Sequence, residues 1–86
     1  QRLVEDIYSP LRESGSALLE TLSTYLQQAA SLEAAARMLF VHPNTVRYRL
    51  RRVTDVTGLV PTDARSAFVL QTALALGRLQ DAGEPL

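Results

Sequence analysis

Four arginines lie within six residues near the middle of the chain, at positions 47, 49, 51 and 52, with no acidic residue among them. A guanidinium group donates paired hydrogen bonds, which suits phosphate oxygens and the O6 and N7 atoms of guanine. All nine basic residues are arginine. A GC-rich genome would produce the same bias, and such a cluster is often only a solvated surface. Its meaning therefore depends on the elements that present it.

The composition argues against a disordered, collagen-like or disulfide-scaffold protein, and the charge bears on nucleic-acid binding. The formal net charge is zero, whereas nucleic-acid-binding domains are usually basic. The charge is nevertheless polarised, because Glu5, Asp6, Glu13 and Glu20 lie in the first quarter of the chain. Forty-seven per cent of the 86 residues are hydrophobic, as in one small globular domain. No apolar run approaches the ~20 residues of a membrane span.

Other site chemistries find little support in the sequence. The absence of cysteine excludes disulfides, thiolate nucleophiles and cysteine-based zinc sites. His42, the only histidine, fits a turn or helix cap better than a metal site. Glu33 and Asp55 have no second carboxylate at catalytic spacing, and no glycine-rich phosphate loop is present. We therefore expect no enzyme and no cofactor.

Two short helices joined by a tight turn are predicted around the arginine cluster. Ser31 is a good N-cap for the first, whose inward face would be Leu32, Ala35, Ala36 and Leu39. Pro43 suits the first turn of the second helix, and Gly58 suits a left-handed residue after its end. Small alanines allow two helices to cross closely. This layout is typical of a helix-turn-helix motif, here between Ser31 and Thr57.

The second of these helices would read DNA. If Val46, Leu50 and Val53 point inward, the polar and basic residues face outward. Residues near the start of a recognition helix usually reach the bases, and later ones reach phosphates. Tyr48 has the alternative of packing its ring against a neighbouring helix. The predicted DNA-contacting residues are His42, Pro43, Asn44, Thr45, Arg47 and Tyr48, followed by Arg49, Arg51 and Arg52 as phosphate contacts.

The flanking segments complete an all-α fold, a small helical bundle of four to five helices. Residues 1–14 are predicted as a lead-in helix or linker, with a short helix over 2–8 that ends at Ser9-Pro10. An amphipathic helix is expected over 16–29, within a helix-turn-helix domain spanning 15–80. A last, very apolar helix would begin at Thr62 or Asp63 and end near Leu79, with Gly77 as a fraying point. Residues 81–86 are predicted to be a disordered tail.

A pattern of residues between positions 18 and 76 is typical of a known family of domains. It consists of Leu18 to Leu22, Tyr25-Leu26, Ala34 to Ala36, Leu39, Val41-His42, Asn44 to Leu50, and Thr57 to Leu59. Residues 18–76 thereby resemble the C-terminal helix-turn-helix domain of PucR-type and sugar-diacid (CdaR-type) bacterial transcription regulators, and the block 41–50 is quite specific to that family.

The resemblance also implies similarity to the fold of the factor for inversion stimulation, in which Thr45 and Arg47 match DNA-facing positions. Two positions depart from the usual patterns. The basic residue that is usual at the position of Pro43 is missing, and Phe40 occupies the place where many phage-type motifs carry a turn glycine.

The expected function is sequence-specific binding of double-stranded DNA by the output domain of a cytoplasmic bacterial regulator. An upstream sensory domain of the same chain and a homodimer are expected as partners. The apolar last helix is the predicted dimer surface, unless the lead-in helix folds back and covers it. The alternative function is a helical protein-interaction or dimerisation module whose basic face meets an acidic partner.

Overall fold

The structure is a computed structural model that describes residues 1–83, and the last three residues of the predicted tail lie outside that range. Only helices and connecting turns occur in these 83 residues, which confirms the all-α prediction. The elements are a π-helix (Val4–Tyr8), α1 (Ser9–Glu13), α2 (Ser16–Gln27), α3 (Leu32–Leu39), α4 (Pro43–Thr57) and α5 (Ala64–Asp81).

The prediction that the first helix ends at Ser9-Pro10 is wrong, because helical structure continues through Pro10 to Glu13. Proline has no N–H to donate, and its ring collides with a carbonyl four residues back in an ordinary α-helix. The chain widens into a π-helix just before the proline, and the Ser9 N–H donates to the Val4 carbonyl five residues earlier. We refer to residues 4–13 as the N-terminal segment.

The N-terminal segment packs into the core. Val4, Ile7, Tyr8 and Leu11 are buried, and Leu11 is fully so. They join buried side chains from the other helices, including Leu22 of α2. The segment contacts α2, α4 and α5. Residues 4–11 therefore supply part of the hydrophobic stabilisation of the bundle.

The predicted fraying point at Gly77 is instead a buried packing site. A Cβ atom built at Gly77 would overlap the Cγ, Cδ1 and Cδ2 atoms of the Tyr8 ring. The ring therefore lies directly against the backbone of α5, which only glycine permits at this position. The helix also runs two residues past the predicted end, to Asp81.

Polar contacts also join the N-terminal segment to the end of α5, and we refer to this contact between the two as the junction. The Tyr8 hydroxyl donates to Asp81 Oδ2 at 2.5 Å, and Arg12 Nη1 contacts Asp81 Oδ1 at 2.7 Å. The Arg12 guanidinium also lies 5.6 Å from the centre of the Tyr8 ring. The hydrogen bond from Tyr8 lowers the pKa of Asp81, Arg12 lowers it further, and partial burial opposes both. The same bond, together with burial, raises the pKa of Tyr8.

Acid should weaken this junction in a way that depends on Asp81. Folding lowers the pKa of Asp81, so its carboxylate stabilises the fold at any pH above the ordinary pKa of 3.8. That stabilisation is lost as the pH falls through the lowered pKa. We expect Asp81→Asn to lower Tm at pH 7 and to flatten the decline of Tm between about pH 5 and pH 2. Thermal unfolding followed by circular dichroism measures both. Parallel Tm profiles for the variant and the wild type would contradict the assignment.

Two turns carry non-glycine residues in the left-handed region. Ala29 and Ala30, with φ of 56° and 60°, connect α2 to α3, where a helix over 16–29 was predicted. Phe40, with φ 58° and ψ 43°, ends α3. Its N–H and that of Val41 bond back to carbonyls of α3, so the turn keeps the geometry that glycine would give. The Phe40 side chain is 94% exposed and gains nothing from packing.

Phe40→Gly should therefore stabilise the domain. Removing a Cβ from the left-handed region relieves about 1–2 kcal/mol, and the greater freedom of glycine in the unfolded chain offsets about half of it. We expect the free energy of unfolding to rise by about 0.5–1 kcal/mol in urea titrations. Met38→Gly, an exposed control within α3, should instead lower it by about 1 kcal/mol. A decrease for both variants would show that Phe40 is not strained.

Candidate nucleic-acid interface

The core side of α4 packs against α2, α3 and the N-terminal segment. Val46, Leu50 and Val53 on this side are buried, as predicted. Ala35 and Ala36 of α3 are 0% and 2% exposed, and their small methyl groups allow α3 and α4 to pack closely. These contacts leave the opposite side of α4 facing solvent.

Local signals define the start of α3 and both ends of α4. The Ser31 Oγ accepts from the Ala34 N–H at 3.1 Å and caps α3. The His42 Nδ1 accepts from the Asn44 N–H at 3.0 Å and caps α4, which confirms the cap prediction for the only histidine. Pro43 follows at the first helical position, and Gly58, with φ 76°, ends the helix. The caps fix where the exposed face of α4 begins.

One row of the exposed face runs along the whole helix. Asn44, Tyr48, Arg51 and Asp55 are exposed and follow one another at three- or four-residue spacing. Arg47 is also exposed and lies beside this row, where its Nη1 donates to Asn44 Oδ1. Tyr48 is 60% exposed, so its ring is not part of the hydrophobic core. The face presents amide, phenol and guanidinium groups, which are hydrogen-bonding partners of base edges.

The four arginines of the cluster have different environments. Arg49 is half-buried, and its Nη1 donates to the Thr21 Oγ1 of α2 at 3.2 Å. Arg52 forms an ion pair with Asp55 at 3.5 Å. Arg51 is exposed and makes no ion pair with a side chain of residues 1–83. The cluster therefore presents Arg47 and Arg51 most freely to a ligand.

The structure brings four of the nine predicted residues to one face. Asn44, Arg47, Tyr48 and Arg51 share it, while Pro43, Thr45 and Arg52 are half-buried at its borders. His42 is exposed just before the first residue of the helix. Arg49 lies toward α2 instead. Asp55 also lies on this face and is not among the predicted residues. Its spacing from Arg51 and Arg52 was a signal that would have revealed it.

Residues 1–83 hold no group of three or more histidine, cysteine or acidic side chains arranged as metal ligands. Within the same range, no helix has the length and hydropathy required to cross a bilayer.

Comparison with known proteins gives a consistent result. The family model for the PucR C-terminal helix-turn-helix domain matches residues 18–76. A crystal structure of a regulator of polyketide synthase expression from Bifidobacterium adolescentis superimposes with a TM-score of 0.88 at 48% sequence identity, covering 92% of this chain and 34% of that one.

Curated relatives are longer proteins. An uncharacterized protein of Mycobacterium tuberculosis is 54% identical over 74 residues, which are 86% of this chain and 18% of the relative. The proline-responsive transcriptional activator PutR of Bacillus subtilis is 38% identical over 64 residues, 74% of this chain and 16% of the relative. The chain thus spans less than a fifth of the length of these relatives.

Proposed function

Because this chain belongs to the family of PucR C-terminal helix-turn-helix domains, we propose that it is the sequence-specific DNA-binding domain of a bacterial transcription regulator and has no enzymatic activity. In this proposal α4 enters the major groove. The observation that carries it is the division of α4 into a buried apolar side and an exposed side bearing Asn44, Arg47, Tyr48 and Arg51. A major groove accepts one helix with such a face.

Base reading falls to the first two turns of α4. Asn44 suits adenine N6 and N7, and Arg47 suits guanine O6 and N7. The hydrogen bond between their side chains holds the two groups together before DNA arrives. Thr45 and Tyr48 border them and would contact thymine methyls or sugars. His42 and Pro43 would place the N-terminus of α4, with its partial positive charge, close to the sugar-phosphate backbone of the DNA.

Phosphate binding falls chiefly to Arg51, which lies about one turn beyond Tyr48 on the same row. Arg52 contributes less, because Asp55 offsets its charge. Arg49 is the third predicted phosphate contact, and its hydrogen bond to Thr21 also supports the interface by joining α4 to α2. Neutralising Arg51 would weaken selected and random DNA alike.

The rest of the protein would supply sensing and assembly. We propose that a sensory region lies outside this chain and that the regulator acts in the cytoplasm as a homodimer. Phe68 of α5 is 70% exposed, and Leu79 is also exposed, although the N-terminal segment covers the face at Gly77. Sedimentation of the wild type and of Phe68→Glu at tens of micromolar tests the dimer. A strictly monomeric wild type that binds a half-site as tightly as a palindrome would exclude it.

Selection of bound duplexes from a random pool tests the DNA-binding function. We expect a recurrent motif of a few base pairs for the wild type and no enrichment for a variant carrying Asn44→Ala and Arg47→Ala. Both substitutions lie on the exposed face and should leave the fold intact. A pool that remains random for the wild type would contradict sequence-specific binding.

A further inference from the structure

Asp55 is the only acidic residue of α4, and it lies on the face that we assign to DNA. Arg51, Tyr48 and Asn44 precede it by about one, two and three helical turns on the same row. Its side chain is 61% exposed. A carboxylate in this place repels the phosphates that the neighbouring arginines attract.

Helix stability does not account for Asp55. It lies in the last turn of α4, where the helix dipole favours positive rather than negative charge. Its ion pair with Arg52 places the arginine before the acid, which is the less favourable order along a helix. The pair is solvent-exposed at 3.5 Å, a geometry that contributes little to folding. The cost of the carboxylate therefore needs another explanation.

From this arrangement we infer that Asp55 restrains sequence-independent DNA binding and thereby sets the specificity of the domain. The inference rests on the proposed DNA-binding function. Asp55 cancels the charge of Arg52, so the pair adds no net attraction to the phosphate backbone. Binding to random DNA is almost entirely electrostatic, whereas binding to a selected site also uses base contacts. Those contacts come from Asn44 and Arg47, two to three turns away from Asp55.

Asp55→Asn keeps the size of the side chain, removes its charge and frees Arg52. We expect it to tighten binding to a random-sequence 30-base-pair duplex by about 3- to 10-fold at about 100 mM salt. The salt slope should steepen by up to about one unit, because one more arginine becomes available for phosphate. The duplex selected by the wild type should gain less than about 3-fold, since base contacts fix the position of α4 there. The ratio of selected to random affinity therefore falls.

Glu13→Gln is the matched control, because it changes the net charge equally from α1, outside the recognition helix. Fluorescence anisotropy on both duplexes at 50–200 mM salt compares the three proteins. The inference is overturned if Glu13→Gln tightens random DNA as much as Asp55→Asn does, or if Asp55→Asn tightens both duplexes equally. A wild type that binds neither duplex would overturn the proposed function as well. Binding by the wild type with no change in Asp55→Asn would overturn this inference alone.

Discussion

Arg47→Ala is expected to weaken binding to the selected duplex by about 1–3 kcal/mol, which is roughly 5- to 150-fold in Kd. The guanidinium is exposed in the second turn of α4, and Asn44 holds it in place. A bidentate contact to guanine would be lost, and the variant should accept other bases at one position of the motif. Competition binding with duplexes substituted one position at a time measures both effects.

The control for this prediction removes the same charge elsewhere. Arg65→Ala, exposed in the first turn of α5, should change the Kd for the selected duplex much less and leave the base preferences intact. If Arg47→Ala weakened selected and random duplexes by the same factor, Arg47 would be a phosphate contact and not a base reader. Unchanged binding would exclude α4 as the recognition helix.

Gly77→Ala should lower the stability of the domain, whereas the same substitution within an ordinary helix raises it. Alanine is a better helix former than glycine by about 1 kcal/mol, yet the added methyl group would overlap the Tyr8 ring. Tyr8 is buried and hydrogen-bonded to Asp81, so it cannot move without breaking that bond. We expect a net loss of about 1–3 kcal/mol and a Tm lower by about 5–20 °C.

Ala75→Gly provides the comparison within the same helix. Ala75 is exposed and lies two residues before Gly77. Its replacement should lower the free energy of unfolding by about 1 kcal/mol, which is the difference in helix propensity between alanine and glycine. In a Tyr8→Leu background, the penalty of Gly77→Ala should shrink, because a smaller side chain faces the added methyl group. Stabilisation by Gly77→Ala in the wild type would show that Tyr8 does not pack as described.

Local signals in the sequence predicted the helices that form the interface. Ser31, His42, Pro43 and Gly58 act through hydrogen bonds and dihedral angles within a few residues, so the ends of α3 and α4 followed from residue type and spacing. For α5, the sequence allows either Thr62 or Asp63 as the cap, and the structure shows the Asp63 carboxylate accepting from the Ser66 N–H.

Contacts between distant segments could not be predicted in the same way. Pro10 indicated a helix end, but burial of Leu11 and Tyr8 favours a helix that widens and continues. The sequence around Gly77 predicts a fraying point, because its packing partner, Tyr8, lies 69 positions earlier and gives no local signal. Arg49 stays a predicted phosphate contact, but the local sequence gives no sign of its hydrogen bond to Thr21, which depends on how α2 crosses α4. In each case tertiary packing decided between conformations that the local sequence allows.

The most direct test of the central claim is the salt dependence of binding by the wild-type chain to its selected duplex, to a random duplex and to poly-glutamate. Phosphate contacts release counterions, so a plot of log affinity against log salt should have a slope of about −2 to −4 for a few neutralised phosphates on one domain. We predict that slope together with a preference for the selected duplex of at least about tenfold over the random one, and no comparable binding of poly-glutamate. Equal binding to both duplexes and to poly-glutamate would instead identify α4 as a basic surface for an acidic partner and would contradict DNA recognition.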